Sequence, residues 1–125
     1  MQLHHIAIIA SDYERSKSFY IEVLQFSILH EAFREDTQSF KLDLRNKSGV
    51  QLELFYFPHP PKRLTRPEAC GLRHLAFRVE NLDSEIQRLL MLGIETEPVR
   101  IDPYTYKRFT FFSDPDGLPL ELYEE

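Results

Sequence analysis

The sequence predicts an α+β fold of two tandem βαβββ modules that form curved mixed sheets. Three observations predict it: strand-like runs outnumber helices, one amphipathic helix follows the first strand of each half, and a proline-rich stretch separates two halves with the same element order. A chain of 125 residues has the size of one domain. We therefore expect a single domain over 1–125, with module one at about 1–57, a connector at 58–71 and module two at 72–125.

The first module begins with a predicted buried strand over residues 3–10, where a run of Ile and Ala follows two histidines. Ser11 and Glu14 have the spacing of a capping box, which predicts the start of a helix. Apolar residues recur at helical intervals over 12–24, so this helix should cover a sheet. Three strand-like runs follow, at residues 27–33, 39–44 and 50–57.

The second module repeats this order after the connector. The connector contains four prolines, which are excluded from the interior of a sheet. Residues 72–79 then read as a strand, Asn81 can cap a helix, and Gly93 suits the position after its end. Three more strands are predicted, at residues 95–100, 106–112 and 118–123, the last two separated by the turn sequence Asp-Pro-Asp-Gly.

The two halves also repeat a pattern of polar residues. His5-Ile-Ala-Ile corresponds to His74-Leu-Ala-Phe, and the Leu-Glu-Leu sequence around Glu53 recurs around Glu121. The two histidines are 69 residues apart and the two glutamates 68. Each glutamate stands between two leucines of a predicted central strand, where a carboxylate is costly to desolvate unless a cation meets it.

A divalent metal ion would supply that cation. Two imidazoles and two carboxylates are a mixed nitrogen and oxygen donor set, suited to Zn, Ni, Co, Mn or Fe. The alternative is that each residue is a surface side chain, which is the commoner role of a lone histidine or glutamate in a strand. That alternative does not explain the matched recurrence, so we predict one metal site formed by His5, Glu53, His74 and Glu121.

Composition and charge exclude several other functions. The net charge is −5 and no basic stripe is present, which argues against nucleic-acid binding. No apolar run approaches the roughly 20 residues of a membrane span, and the first residues lack a signal-peptide pattern, so we expect a cytoplasmic protein with no membrane partner. The single Cys70 cannot form an internal disulfide, and we expect it to be buried as a small hydrophobe.

The whole chain resembles the vicinal oxygen chelate superfamily, which includes glyoxalase I, bleomycin-resistance proteins and dioxygenases. The signals are His5-Ile-Ala-Ile, the strand of Glu53, Gly71-Leu-Arg-His-Leu-Ala and, most specific, the segment Phe-Phe-Ser-Asp-Pro-Asp-Gly-Leu-Pro-Leu-Glu over 111–121. The resemblance implies paired βαβββ modules around a metal site. It also implies a homodimer, since members often complete or pair their sites across subunits, and leaves open whether the four ligands come from one chain or two.

Within that superfamily, the set found here is similar to that of glyoxalase I. Extradiol dioxygenases and fosfomycin-resistance enzymes use two histidines and one glutamate, and methylmalonyl-CoA epimerases have glutamine where Glu53 stands. The resemblance therefore implies a lyase or isomerase acting on a hemithioacetal, or a related small 2-oxoaldehyde adduct, through a metal-bound enediolate. Zn or Ni would be favoured as the metal. Glu121 or Glu53 would move the proton, with Glu121 the preferred base.

The resemblance to glutathione-using glyoxalases is incomplete. Those enzymes tend to have arginine four residues after the first histidine ligand and asparagine four after the first glutamate, whereas this chain has Ile9 and Phe57. Other arginines would then bind the substrate, and the candidates are Arg34, Arg63, Arg66 and Arg108. Two alternative functions stay open: an Fe- or Mn-dependent dioxygenase of the same fold, and a non-catalytic small-molecule-binding or resistance protein.

Overall fold

The computed structural model describes all 125 residues and contains two four-stranded mixed sheets. The α+β class and the two βαβββ modules predicted from the sequence are confirmed. The chain divides into two compact units, Met1–Lys62 and Arg63–Glu125. Their boundary falls inside the predicted connector, and the grouping of both modules in one domain stays a prediction.

The first unit builds its sheet in the order β1-β4-β3-β2. Its strands are β1 (Ile6–Ala10), β2 (Ser27–Arg34), β3 (Ser39–Arg45) and β4 (Gln51–Tyr56), and helix α1 (Tyr13–Ser18) continues into a π-helical turn (Phe19–Val23). β1 runs parallel to β4, whereas the other neighbours are antiparallel. A parallel pair needs a long return connection, and here α1, β2 and β3 all lie in that connection.

The second unit has the same topology, in the order β5-β8-β7-β6. Its elements are β5 (Leu75–Val79), α2 (Leu82–Met91), β6 (Arg100–Ile101), β7 (Arg108–Ser113) and β8 (Pro119–Glu124). β5 and β8 form the parallel pair. None of the helices in the structure has both the length and the apolar character needed to cross a bilayer.

Both helices begin at a side-chain cap. Asn81 accepts a hydrogen bond from Ser84 N at 2.9 Å, as predicted. In the first unit the cap is Asp12, which accepts from Arg15 N at 3.1 Å, and not the predicted Ser11. Asp12 is the residue with extended backbone directly before the first helical residue, and its carboxylate also interacts favourably with the positive end of the helix.

Three strand predictions need correction. The predicted strand at 95–100 is reduced to the two residues of β6, because Pro98 has no N–H to donate to a strand ladder. The strands predicted at 3–10 and 72–79 begin later, at Ile6 and Leu75. The two histidines predicted to bind metal, His5 and His74, therefore directly precede the first strand of their unit.

Alternation along the strands separates the core from the opposite face of each sheet. In the first unit Leu42, Leu44, Leu52 and Leu54 are almost fully buried. Burying a leucine side chain contributes about 1.5–3 kcal/mol, so this row holds β3 and β4 against the helix. Leu120 and Leu122 have the same place in the second unit. Cys70 is exposed in the connector, contrary to expectation, because it lies outside every strand and helix.

Candidate metal centre

The two glutamates occupy equivalent places in the two sheets. Glu53 on β4 is opposite Ala7 on β1, and Glu121 on β8 is opposite Ala76 on β5. Because side chains alternate along a strand, each glutamate points away from its neighbouring buried leucines. We call this side of each sheet, the one that carries the glutamate, its site face.

Each glutamate has a histidine beside it on the site face. His5 Nε2 lies 3.4 Å from Glu53 Oε2, and His74 Nε2 lies 3.2 Å from Glu121 Oε2. The glutamate side chains are only 13% and 12% exposed, whereas the histidines are 37% and 28% exposed. Each pair thus holds a nearly desolvated carboxylate behind an accessible imidazole.

The pair in the first unit has charged neighbours. Lys41 on β3 places its Nζ 3.2 Å from Glu53 Oε1 and 3.2 Å from Asp43 Oδ1. Asp43 Oδ1 is buried and has no well-aligned hydrogen bond, so its contact with Lys41 is an ion pair only. Asp43 first, and Glu53 next, raise the pKa of Lys41, which keeps this ammonium charged beside the glutamate. On the other side, His5 Nδ1 is 2.8 Å from His4 Nδ1.

The pair in the second unit has aromatic neighbours. Phe111 on β7 is directly opposite Glu121, and its ring meets the His74 ring edge to face at 5.2 Å. Phe109 lies two residues earlier on the same face, 6.0 Å from Phe111 between ring centroids. Packing of this kind restricts the orientation of the imidazole.

A cavity of about 690 Å³ opens at the second pair. All of its wall belongs to the second unit, and it includes both His74 and Glu121. A volume of this size suits a small organic ligand. The other lining residues are Thr65, Arg66, Pro67, Glu68, Arg73, Glu97, Arg100, Phe109, Phe111, Phe112, Ser113 and Pro119.

The four arginines predicted to bind substrate are in different places. Arg66 lines the cavity. Arg63 donates to the carbonyls of Leu72 and Arg73 and so ties the connector to the start of β5. Arg34 is exposed near the end of β2. Arg108 is bound to two acidic side chains, Glu124 at 2.7 Å and Asp83 at 3.0 Å.

Sequence reasoning missed two arginines of the cavity wall. Arg73 directly precedes His74, and its Nε lies 2.6 Å from Glu68 Oε1. Arg100 on β6 is paired with Phe109 of β7, and its guanidinium lies over that ring. The adjacency of Arg73 to a ligand histidine was a usable signal. The position of Arg100 depends on strand pairing, which the sequence does not display.

The donor set of each pair fits a divalent metal. An imidazole nitrogen and a carboxylate oxygen converge at 3.2–3.4 Å, close enough to share one ion after small side-chain movements. Protein metal sites of this kind need at least three protein ligands. No group of three or more His, Cys, Asp or Glu side chains is placed to hold a metal ion, so neither pair is by itself a complete ligand set.

Comparison with known proteins gives the family of this fold. A family model described as the glyoxalase/bleomycin resistance protein/dioxygenase superfamily matches residues 2–122. The chain is 61% identical to the uncharacterized protein YwkD of Bacillus subtilis, covering 98% of this chain and 96% of that one. It is 56% identical to the uncharacterized protein YaeR of Escherichia coli, covering 99% and 96%.

Solved structures agree with this assignment. A glyoxalase family protein from Enterococcus faecalis is 51% identical, with a TM-score of 0.91 over 98% of this chain and 97% of that one. The fosfomycin resistance protein FosX of Listeria monocytogenes is 21% identical, with a TM-score of 0.78 over 98% and 91%. At that identity, the likeness to FosX establishes a shared fold alone.

Proposed function

The chain belongs to the glyoxalase/bleomycin resistance protein/dioxygenase superfamily, and from that premise we propose that it is a metal-dependent lyase of the glyoxalase I type. Its substrate would be a hemithioacetal or a related adduct of a small 2-oxoaldehyde. The metal would be one divalent ion, with Zn or Ni favoured. The superfamily includes many enzymes, and the proposal depends on which ligand set this chain carries.

The duplicated histidine–glutamate pair is the observation that carries the proposal. The two His–Glu pairs stand at equivalent register positions, and the carboxylate of each is nearly buried. Unrelated surface residues would not be expected to show this pattern. Together His5, Glu53, His74 and Glu121 would supply the two-histidine, two-glutamate set predicted from the sequence. When bound, a divalent metal would polarise a carbonyl oxygen of the substrate and stabilise negative charge that develops there.

The residues of the chain would then move protons. A glyoxalase-type isomerisation transfers a proton from the carbon that bears the hydroxyl and the sulfur to the adjacent carbonyl carbon, while the hydroxyl proton passes to the oxygen of that carbonyl. We assign this transfer to Glu121, because its carboxylate lines the cavity. Glu53 is the second carboxylate of the set, and its Oε1 already faces the Lys41 ammonium at 3.2 Å. Because Glu53 does not line the cavity, we assign it the role of a metal ligand only.

Two arrangements of the ligand set are compatible with this proposal. The two pairs meet either within one chain or between two chains of a homodimer. Both use the same four side chains and predict the same chemistry. They differ in the activity expected of oligomers that contain two different inactive variants.

Metal analysis of the purified protein is the first test. We expect one divalent ion per ligand set, removed by chelation and restored by adding Zn, Ni, Co, Mn or Fe in turn. Glu53→Gln and Glu121→Gln should each weaken binding strongly, whereas Glu80→Gln, at an exposed position, should not. Equal metal content in all four proteins would refute the site.

Turnover is the second test. Methylglyoxal should be offered with glutathione, bacillithiol, cysteine and no thiol, and disappearance of the hemithioacetal followed optically. Metal-dependent turnover with at least one thiol supports the proposal. Oxygen consumption without isomerisation would indicate a dioxygenase instead, and tight ligand binding without turnover would indicate a sequestering protein.

A further inference from the structure

We propose that the cavity of the second unit binds a small ligand that bears a carboxylate, and that Arg100 is the residue that recognises it. The proposal deepens the proposed function, on which it rests, by naming the chemical class of the ligand at the same site. It is argued from the wall of the cavity alone, all of which lies in the second unit.

The first step is the placement of Arg100 over an aromatic surface. Its guanidinium carbon lies 5.0 Å from the ring centroid of Phe109 and 5.4 Å from that of Phe111. Both rings line the cavity. Cation–π contact uses the flat face of a guanidinium and leaves its N–H edges available for planar acceptors.

The second step concerns the hydrogen bonds of Arg100. Its Nη2 donates to Glu97 Oε2 at 3.1 Å, and the two side chains are 53% and 50% exposed. A guanidinium has five N–H donors, so this one bond leaves most of them for a ligand. A half-exposed pair is also worth little energetically, and a ligand carboxylate can replace or join Glu97.

The third step is that the segment carrying Arg100 is anchored. Glu97 N donates to Phe111 O at 2.8 Å, and Thr110 Oγ1 donates to Glu97 O at 2.6 Å. Arg100 itself pairs with Phe109 in the sheet. The short strand β6 is thus held against β7, and the arginine is placed before a ligand arrives, which lowers the entropic cost of binding.

The last step is the balance of charge on the wall. Three arginines and three glutamates line the cavity. Glu68 is engaged by Arg73 at 2.6 Å, whereas Arg66 acts on Glu68 through its charge alone, which lowers the pKa of that carboxyl. Two cations, Arg66 and Arg100, therefore have donors left for an anion. A planar carboxylate matches the fork of an arginine better than a spherical anion does, and the phenylalanines suit an apolar group attached to it.

The test uses 3-phenylpropionate and its neutral isostere 3-phenylpropionamide, titrated into the full-length protein and followed by amide NMR shifts. We expect saturable binding of the acid, with shifts around Phe109 and Phe111, and roughly 10-fold weaker binding of the amide. Arg100→Gln should lower the affinity for the acid about 10-fold and leave that for the amide unchanged. Arg100→Lys, which keeps the charge but not the fork, should give an intermediate loss.

Arg88→Gln is the matched control. Arg88 also pairs with a glutamate three residues earlier, Glu85 at 2.9 Å, but it lies on α2 and outside the cavity wall. This variant should bind the acid as the wild-type protein does. Equal affinity for acid and amide, no saturable binding, or an unchanged affinity in Arg100→Gln would overturn the proposal.

The titration is repeated in the presence of EDTA to separate this proposal from the metal chemistry. Binding of the acid that survives chelation and still depends on Arg100 supports the anion site, even if the protein proves to have no lyase activity. Binding that disappears with EDTA and is unaffected by Arg100→Gln would mean that a metal holds the carboxylate, which would overturn the assignment to Arg100.

Discussion

The two units carry the same histidine–glutamate pair in different surroundings. Around Glu53 the neighbours are charged, with Lys41 and Asp43 on the adjacent strand. Around Glu121 the neighbour at the corresponding place on β7 is Phe111, and a cavity of about 690 Å³ opens there. A repeated histidine–glutamate pair therefore does not require a repeated pocket. In the proposed enzyme the first unit would serve mainly to hold the metal, whereas the second would also receive the ligand.

The ends of the site faces differ as well. In the first unit Ile9 is opposite Phe55 and Phe57 follows β4, and the Lys41 ammonium lies 6.0 Å from the Phe55 ring centroid. Ile9 and Phe57 stand at the positions where glutathione-using enzymes would place arginine and asparagine. In the second unit the site face carries Arg78, opposite Tyr123 on β8, and Arg100, opposite Phe109 on β7. Of these two, Arg100 lines the cavity.

Each unit also fastens its helix to its sheet with a polar cluster, and the clusters differ. In the first unit Glu31 of β2 receives hydrogen bonds from Tyr13 and from Lys17, the latter at 2.6 Å. Burial, together with Glu31, raises the pKa of Tyr13. In the second unit Arg108 of β7 bridges Asp83 on α2 and Glu124 on β8. Similar topology is thus stabilised by unrelated side chains.

The largest expected effect follows from breaking one pair at a time. Glu121→Gln should abolish turnover and weaken metal binding, because it removes both a ligand and the base. Glu53→Gln should also lose metal, since the remaining set has one carboxylate. Raising the metal concentration should restore activity to Glu53→Gln far better than to Glu121→Gln. Equal recovery of the two variants, measured by initial rates against added metal, would contradict the division of roles.

Mixed oligomers distinguish a ligand set within one chain from one shared between two chains. If the first pair of one chain completes the second pair of another, mixing Glu53→Gln and Glu121→Gln chains regenerates one intact site in each mixed dimer. Activity should then rise from background to about one quarter of wild type, because roughly half of randomly mixed dimers are heterodimers with one good site of two. The rates are measured after unfolding and refolding the mixture. No recovery, with mixed dimers verified by tag pull-down, would mean that the pairs meet within one chain.

A smaller effect is expected from Lys41→Met. Removing the ammonium eliminates a positive charge 3.2 Å from Glu53, so a cation should bind several-fold more tightly. Water screens this partly exposed pair, which limits the increase in affinity for the cation. Competition with a chelating dye measures the affinity, and Lys62→Met, on an exposed residue, should leave it unchanged. Unchanged or weaker binding in Lys41→Met would show that this charge does not act on the metal.

The smallest expected effect is on stability. Hydrogen bonding to Arg108 lowers the pKa of Glu124 to about 2 from its ordinary 4.5. A depressed carboxyl pKa stabilises the fold above about pH 4.5 and loses this contribution as the pH falls toward 2. Arg108→Gln should therefore lower Tm by a few degrees at pH 7, and the difference from wild type should shrink below pH 4.5. A Tm difference that does not depend on pH, measured by circular dichroism, would contradict this cause.

Arg78→Gln is the control for that measurement. Arg78 pairs with Glu125 at 3.2 Å, but both side chains are more than half exposed. Its loss should change Tm less than the loss of Arg108 at every pH, because exposed ion pairs contribute little.

Much of the fold could be predicted from the sequence because its signals are local. Alternation of Leu52, Glu53 and Leu54 is visible in three residues, and Asn81 marks its helix by its own side chain. The cap of α1 is Asp12, one position after the predicted Ser11, and the strand predicted at 95–100 is short because Pro98 cannot donate a hydrogen bond to a strand ladder. The grouping of His5 with Glu53 could be predicted because the same two residue types recur, as His74 and Glu121, in the second half.

The two modules, the four candidate ligands and the family resemblance could all be predicted from the sequence, since periodicity, caps and motifs are local patterns. Which arginines face the cavity depends on the tertiary structure. Arg100 reaches Phe109 through pairing of β6 with β7, and Arg108 is diverted to Glu124 and Asp83. Such contacts join residues far apart in sequence, and their partners are selected by strand register and packing, which no local pattern encodes.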